Sequence, residues 1–270
     1  METTSPKRAL ITGGAHRIGR AIAEDLAAAG YDVAVHANRS GDAAEDLAAT
    51  LSKTHGVRTA VVRGDLAAAG DVAALVPAAT AALGPLGVLV NNASIFEEDS
   101  IETLDSDHWR RHMAVNAEAP AVLTRAFAEA FEGGGGVGGG TVPQPLGQPA
   151  SGLVVNITDQ RVWKPTPRFL SYSASKATLW WLTRTMAQAL APRVRVVALG
   201  PGPIIKAANQ TDADFAGLVS HIPMQRAPAR EDFGATIRFV HQTPSITGQM
   251  IALDGGQHLA WQTPDALVVE

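Results

Sequence analysis

Seven short, almost wholly apolar runs recur along this chain, at residues 9–12, 33–36, 60–63, 88–91, 153–157, 194–199 and 249–253. Between them lie segments with helical periodicity, at 18–29, 43–54, 72–82, 107–131, 173–191 and 230–240. A strand that is apolar at nearly every position needs cover on both faces. The alternation with helices therefore predicts a parallel sheet between two helical layers, the doubly wound α/β class. A length of 270 residues suits one such domain, and neither a second composition regime nor a repeat of fixed period divides it. The expectation is a single domain over 1–270.

One segment breaks the pattern. Residues 133–151 read GGGGVGGGTVPQPLGQPAS, too rich in glycine and proline to bury enough surface to offset the entropy of ordering. A flexible loop is expected there, between a helix and the following strand. That puts it at the amino edge of the sheet, whereas ligands bind at the carboxyl edge, so no lid role is expected.

Composition removes several function classes. A net charge of −4 opposes phosphate-backbone binding, so no nucleic-acid partner is expected. The absence of cysteine excludes disulfides, thiolate nucleophiles and cysteine-held metals. The first residues, METTSPKRALITGG, contain no apolar run long enough for a leader or a membrane span, and a cytoplasmic protein without a membrane partner is expected.

The first apolar run leads into Thr12-Gly13-Gly14-Ala15-His16-Arg17-Ile18-Gly19. A glycine-rich turn between strand and helix lets backbone amides approach a pyrophosphate, and the helix dipole favours its charge. The second run ends in His36-Ala37-Asn38-Arg39-Ser40. A fold selective for NAD usually carries an acid there to hold the ribose hydroxyls. Here Arg39 and Ser40 offer charge and donors to a 2′-phosphate instead, and Asp42 is assigned to capping the next helix. The cofactor expected is NADPH.

Tyr172 and Lys176 stand four residues apart at the start of a helical segment and so share one face. A nearby ammonium favours the phenolate, so the pair is expected to pass a proton near neutral pH while a nicotinamide passes a hydride. Thirteen residues before Tyr172 stands Asp159. Its neighbour Thr158 is one residue out of register and is expected to point to the opposite side.

These motifs together resemble the short-chain dehydrogenase/reductase family, a Rossmann fold, over nearly the whole chain. The family pattern TGxxxGxG is met at Thr12, Gly13 and Gly19, with Arg17 where the middle glycine is expected. Asp65-Leu66 resembles the adenine-contacting pair, and Asn91-Asn92-Ala93 resembles NNAG, ending here in Ser94. Gly200-Pro201-Gly202-Pro203, with Ile204 after it, resembles the loop at the nicotinamide, and 247–258 resembles the last strand and its turn. Tyr172, Lys176 and Asn116 match three of the family's four active-site members, with Asn116 implied to support a water and the lysine. Lys176 is also implied to touch the nicotinamide ribose. The fourth member, a serine, is replaced by Asp159.

That replacement matters chemically. A serine hydroxyl can donate to a ketone oxygen, whereas an ionised carboxylate only accepts. A carboxylate suits a substrate that gains a proton on nitrogen, because it stabilises a developing iminium. Within the family the chain is similar to the pteridine and dihydromonapterin reductases, at Arg17, Arg39, Ser94, Phe96 and Asp159. The resemblance implies that Phe96 stacks on a pterin opposite the nicotinamide, with Arg17, Ser94, Asp159 and Tyr172 also facing substrate, and that the protein is a homotetramer.

Two features remain. His108 and His112 have the i,i+4 spacing of helix-borne metal ligands, but no third ligand is evident nearby and the Glu a zincin needs between them is missing, so solvated or interface histidines and no metal are expected. Trp180 and Trp181 on the Tyr172 helix fit a partner subunit's face or the core. Three functions stay open: a pteridine- or dihydrofolate-type reductase acting on C=N, a generic carbonyl or alcohol oxidoreductase that tolerates Asp159, and a non-catalytic NADP-binding regulator. Intact Tyr172, Lys176 and Asn116 speak against the last.

Overall fold

The computed structural model describes residues 5–131, 152–206 and 210–262; the glycine- and proline-rich segment 133–151 lies outside them. In chain order the elements are β1 (Arg8–Ile11), α1 (Arg17–Ala28), β2 (Asp32–Ala37), α2 (Gly41–His55), β3 (Thr59–Arg63), α3 (Ala69–Leu83) and β4 (Val88–Asn91). Then come α4 (Ser106–Met113), a π-helical turn (Ala114–Glu118), α5 (Ala119–Phe131), β5 (Gly152–Ile157), α6 (Leu170–Leu190) and β6 (Val194–Pro201). The last are α7 (Asp212–Ser220), α8 (Glu231–Gln242) and β7 (Met250–Leu253).

All seven strands are parallel, in the order β3-β2-β1-β4-β5-β6-β7. Each all-apolar run is explained by alternation across the pleat. Ile11, Val35, Val90 and Val155 face one layer with α1, α2 and α8, while Leu10, Ala34, Leu89 and Val154 face the other with α3, α5 and α6. The doubly wound prediction therefore holds, and the order reverses between β1 and β4, where a ligand crevice opens at the carboxyl ends of the strands.

Two elements depart from the sequence reading. The helix expected over 107–131 is interrupted by the π-helical turn, an irregularity that clusters at functional sites. The helix α7 was not expected, because it buries no residue and so carries no apolar stripe. Its one legible signal is a capping box between Thr211 and Asp214. No helix among the described residues is long and apolar enough to cross a membrane.

Candidate active site

The crevice is built first from backbone. Gly13 sits at φ +60°, and a Cβ on Gly19 would collide with the Gly13 carbonyl oxygen, so α1 can rest on the turn only with glycine there. Thr12 joins this turn to the loop after β4: its hydroxyl oxygen accepts from the backbone N–H groups of Asn92 (2.9 Å) and Ala93 (3.0 Å). The Asn92 amide donates back to the Thr12 carbonyl (2.8 Å).

His36, expected among the cofactor contacts, packs against the glycine turn. Its ring is buried; Nδ1 accepts from the Gly13 N–H (3.1 Å), so Nε2 carries the proton given to the Gly64 carbonyl (3.1 Å). Burial lowers its pKa, which keeps the ring neutral and this tautomer fixed. His36 braces the glycine turn. Asp42 also differs from expectation: Ser40 is the N-cap of α2, and Asp42 sits in the first turn, where its charge suits the helix dipole. Asn38 and Arg39 are exposed beyond the end of β2, and Arg39 has no ion-pair partner among the described residues. The N-terminus of α1 carries no side-chain cap, which leaves its first N–H groups unclaimed by any side chain.

Arg17 opens α1 at φ +51°, a left-handed conformation that explains why glycine is the usual residue at that place. Its guanidinium reaches across the crevice to the Ile205 carbonyl (3.4 Å), in the segment that runs from Pro201 at the end of β6 through Gly202 and Ile204. Asp65 and Leu66 follow β3, and the Asp65 carboxylate accepts from the Ala67 N–H (2.9 Å).

The chemical end forms where β5 and α6 meet. Asp159 follows β5 in extended conformation, and its carboxylate accepts from the Tyr172 hydroxyl (2.8 Å) and the Arg161 N–H (2.8 Å). Thr158 turns the other way, donating to the Leu199 carbonyl (3.0 Å) as the register argument required. Lys176 is buried, and its ammonium donates to the Ile157 carbonyl (2.8 Å). Asn116 lies in the π-helical turn: its amide donates to Ser175 Oγ (3.0 Å) and the Ile95 carbonyl (3.1 Å), and its oxygen accepts from Ser94 (3.1 Å) and the Ile95 N–H (3.0 Å). It ties the 94–95 loop to α6.

The electrostatics reverse one expectation. Burial, then the charge of Asp159 and its hydrogen bond, push the Tyr172 pKa well above its ordinary value, with Arg161 pulling weakly the other way. Tyr172 is therefore a protonated donor in this form, and the phenolate expected from Lys176 is disfavoured. Burial lowers Lys176 to about 8, partly offset by the Asp159 charge.

Phe96 is 45% exposed and stacks on Phe169 (4.4 Å, 10°), with its ring edge-on to Tyr172 (4.7 Å, 84°). Two residues here were not foreseen. Phe169 precedes α6 at φ +58°, and the Arg161 guanidinium lies over the rings of Phe169 (5.2 Å), Phe96 (5.4 Å) and Tyr172 (6.0 Å) while pairing with Asp159 (3.3 Å). Arg161 belongs to a short 3-10 helical turn, Gln160–Val162, and its spacing from the aromatics carries no sequence signal. Asp99 was also missed: buried, it accepts from the Ser171 N–H (3.0 Å) at the N-terminus of α6 and so fixes the turn that holds Tyr172.

The histidine pair differs from its sequence reading in one respect. The 94–99 loop brings Glu97 beside His108 and His112, with one potential ligand atom from each within 4.8 Å of the others. On α6, Trp181 is 63% exposed and Trp180 is half-buried against Trp163.

The short chain dehydrogenase family model matches residues 7–215. FolM alternative dihydrofolate reductase 1 of Brucella canis, solved with NADP, is similar at a TM-score of 0.86 and 47% identity, over 99% of this chain and 100% of that one. The Brucella suis protein of the same description, also with NADP, gives 0.83 and 48%, over 96% and 98% of the two chains. A short-chain type dehydrogenase/reductase of Picea abies is 30% identical over 267 residues, 92% of this chain and 91% of its own.

Proposed function

This chain belongs to the short-chain dehydrogenase family, and within it we propose an NADPH-dependent reductase that delivers hydride to a C=N bond of a dihydropteridine-type substrate such as dihydromonapterin, dihydrobiopterin or dihydrofolate. The observation that carries this reading is the Asp159 carboxylate hydrogen-bonded to the Tyr172 hydroxyl. The similarity to two NADP-bound FolM proteins supports it.

The chain's residues fit the cofactor. The uncapped start of α1 at Arg17, Ile18 and Gly19 offers amides to a pyrophosphate, and exposed Arg39 with Ser40 offers a 2′-phosphate a charged partner where an acid would select NAD. Gly13, Asn38, Asp65, Leu66, Asn92, Ala93, Ser94, Pro201, Gly202 and Ile204 line the rest of the cofactor's proposed path, and His36 supports it through Gly13. When bound, the nicotinamide supplies the hydride.

Tyr172 holds its proton through the neutral range, as burial and Asp159 dictate, and gives it to the substrate nitrogen while the adjacent carbon is reduced. Asp159 stabilises the positive charge that develops on that nitrogen, a task an acceptor-only group performs and a serine does not. Lys176 supplies positive charge beneath Tyr172, 5.8 Å from its ring. The outer face of Phe96 stacks on the flat heterocycle, and Arg17 with Ser94 meets its polar edge.

NADPH oxidation measured against dihydrobiopterin, dihydromonapterin, dihydrofolate and a set of ketones tests the reading. Turnover of at least one dihydropteridine well above every ketone is expected; a protein that reduces ketones and ignores all three pteridines contradicts it. The exposed Trp181 face of α6 is proposed to pack in a homotetramer working in the cytoplasm, and sedimentation showing only monomer contradicts that assembly.

A further inference from the structure

We propose that Glu97, His108 and His112 form a site for a divalent transition cation of the zinc type. His112 is fully buried on α4, and its Nδ1 donates to the His108 carbonyl (3.0 Å), which leaves Nε2 as a bare lone pair. That Nε2 is buried and meets no hydrogen-bond partner among the described residues. An orphaned imidazole nitrogen of this kind needs a donor or an electrophile. His108 is prepared in the same way from the other side: its Nδ1 lies 3.4 Å from the buried Asp99 carboxylate, and its Nε2 turns to Glu97, 3.1 Å from Oε2. A histidine backed by a carboxylate or a carbonyl on one ring nitrogen and offering the other is the usual arrangement of metal-bound imidazole.

The two rings stand 4.4 Å apart, and one ligand atom from each of the three residues falls within 4.8 Å of the others, so small side-chain rotations close them on one ion. Two imidazole nitrogens and one carboxylate oxygen make a borderline donor set that suits Zn²⁺ or Co²⁺ over the all-oxygen cages of Ca²⁺ and Mg²⁺. The second Glu97 oxygen lies 3.2 Å from the Arg111 guanidinium, which orients the carboxylate. The ion has a positional consequence. Glu97 follows Phe96, and Asp99 holds the N-terminus of α6, so an ion here fastens the 94–99 loop to α4 beside the reaction centre. It ties structure together and takes no part in hydride transfer.

The test uses the full-length protein, stripped by chelator and dialysis, then titrated with Co²⁺ and separately with Zn²⁺. One equivalent per chain is expected, with the visible absorption of histidine-bound low-coordinate Co²⁺ and a thermal midpoint that rises with Zn²⁺ concentration. Because His112 is buried, its removal can unfold the protein. Glu97→Ala changes a half-exposed loop residue, and it should keep the fold by circular dichroism while weakening Zn²⁺ by at least the roughly 10–100-fold seen when an outer-shell partner is lost. His108→Gln should do the same. No stoichiometric uptake by the wild type, or equal Zn²⁺ affinity in wild type and both variants, overturns the site.

Discussion

Arg17 holds a left-handed backbone, φ +51°, at the place where the family pattern has its middle glycine. The conformation costs an L-residue ~1–2 kcal/mol, of which the greater unfolded-state freedom of glycine would take back ~0.5–1 kcal/mol. Arg17→Gly is therefore expected to leave stability unchanged or raise it by up to ~1.5 kcal/mol, while the KM for a dihydropteridine rises. Denaturant unfolding beside steady-state kinetics checks both; a variant with wild-type KM shows that the strain serves something other than substrate. Lys176 gives a second expectation. Its charged form is present below about 8 and lost as pH rises through about 8, because burial lowers its pKa and the Asp159 charge only partly restores it. If the ammonium beneath Tyr172 is needed, kcat/KM falls on the alkaline side with a limb near that value, and Lys176→Arg moves the limb upward. A flat alkaline profile in the wild type contradicts this role.

At the scale of elements, the π-helical turn is the joint of the site. It interrupts α4 and α5 at Asn116, whose four hydrogen bonds span the 94–95 loop and α6. Asn116→Ala takes its partner from the part-buried Ile95 N–H, while Ser175 Oγ still donates to the Tyr172 carbonyl and Ser94 Oγ to the Ile95 carbonyl, so it should cost on the order of 1–3 kcal/mol in unfolding free energy and lower kcat as Phe96 and Tyr172 lose their common anchor. Unchanged stability by urea titration contradicts that account. The strands were legible because each is apolar on both faces, and the Tyr172–Lys176 pair because a four-residue spacing is geometry that sequence states directly. The π-helical turn was not, since the apolar periodicity runs through it with little change. Nor was α7, which buries nothing, or the position of Arg161 over three rings, which depends on where a short turn after β5 folds back. The surroundings of the Tyr172 hydroxyl are not legible for a related reason: the distance from Lys176 is set by the helix, but the contact with Asp159 and the depth of burial are set by the fold.

Across the whole molecule, one sheet gathers Thr12, Asn92, Asp159 and Gly202 at the carboxyl ends of four neighbouring strands. The switch point between β1 and β4 decides where the crevice opens, and the loop after β5 decides what chemistry it receives. The central claim is that Asp159 selects nitrogen over oxygen as the atom protonated. The most direct measurement is the ratio of kcat/KM for a dihydropteridine to kcat/KM for a simple ketone, taken for the wild type and for Asp159→Ser. A hydroxyl in place of the carboxylate gains the ability to donate to a carbonyl oxygen and loses the charge that stabilises a protonated ring nitrogen. The ratio is expected to fall by roughly a hundredfold or more, the scale of a lost proton-transfer partner. A ratio that is the same in both proteins contradicts the claim.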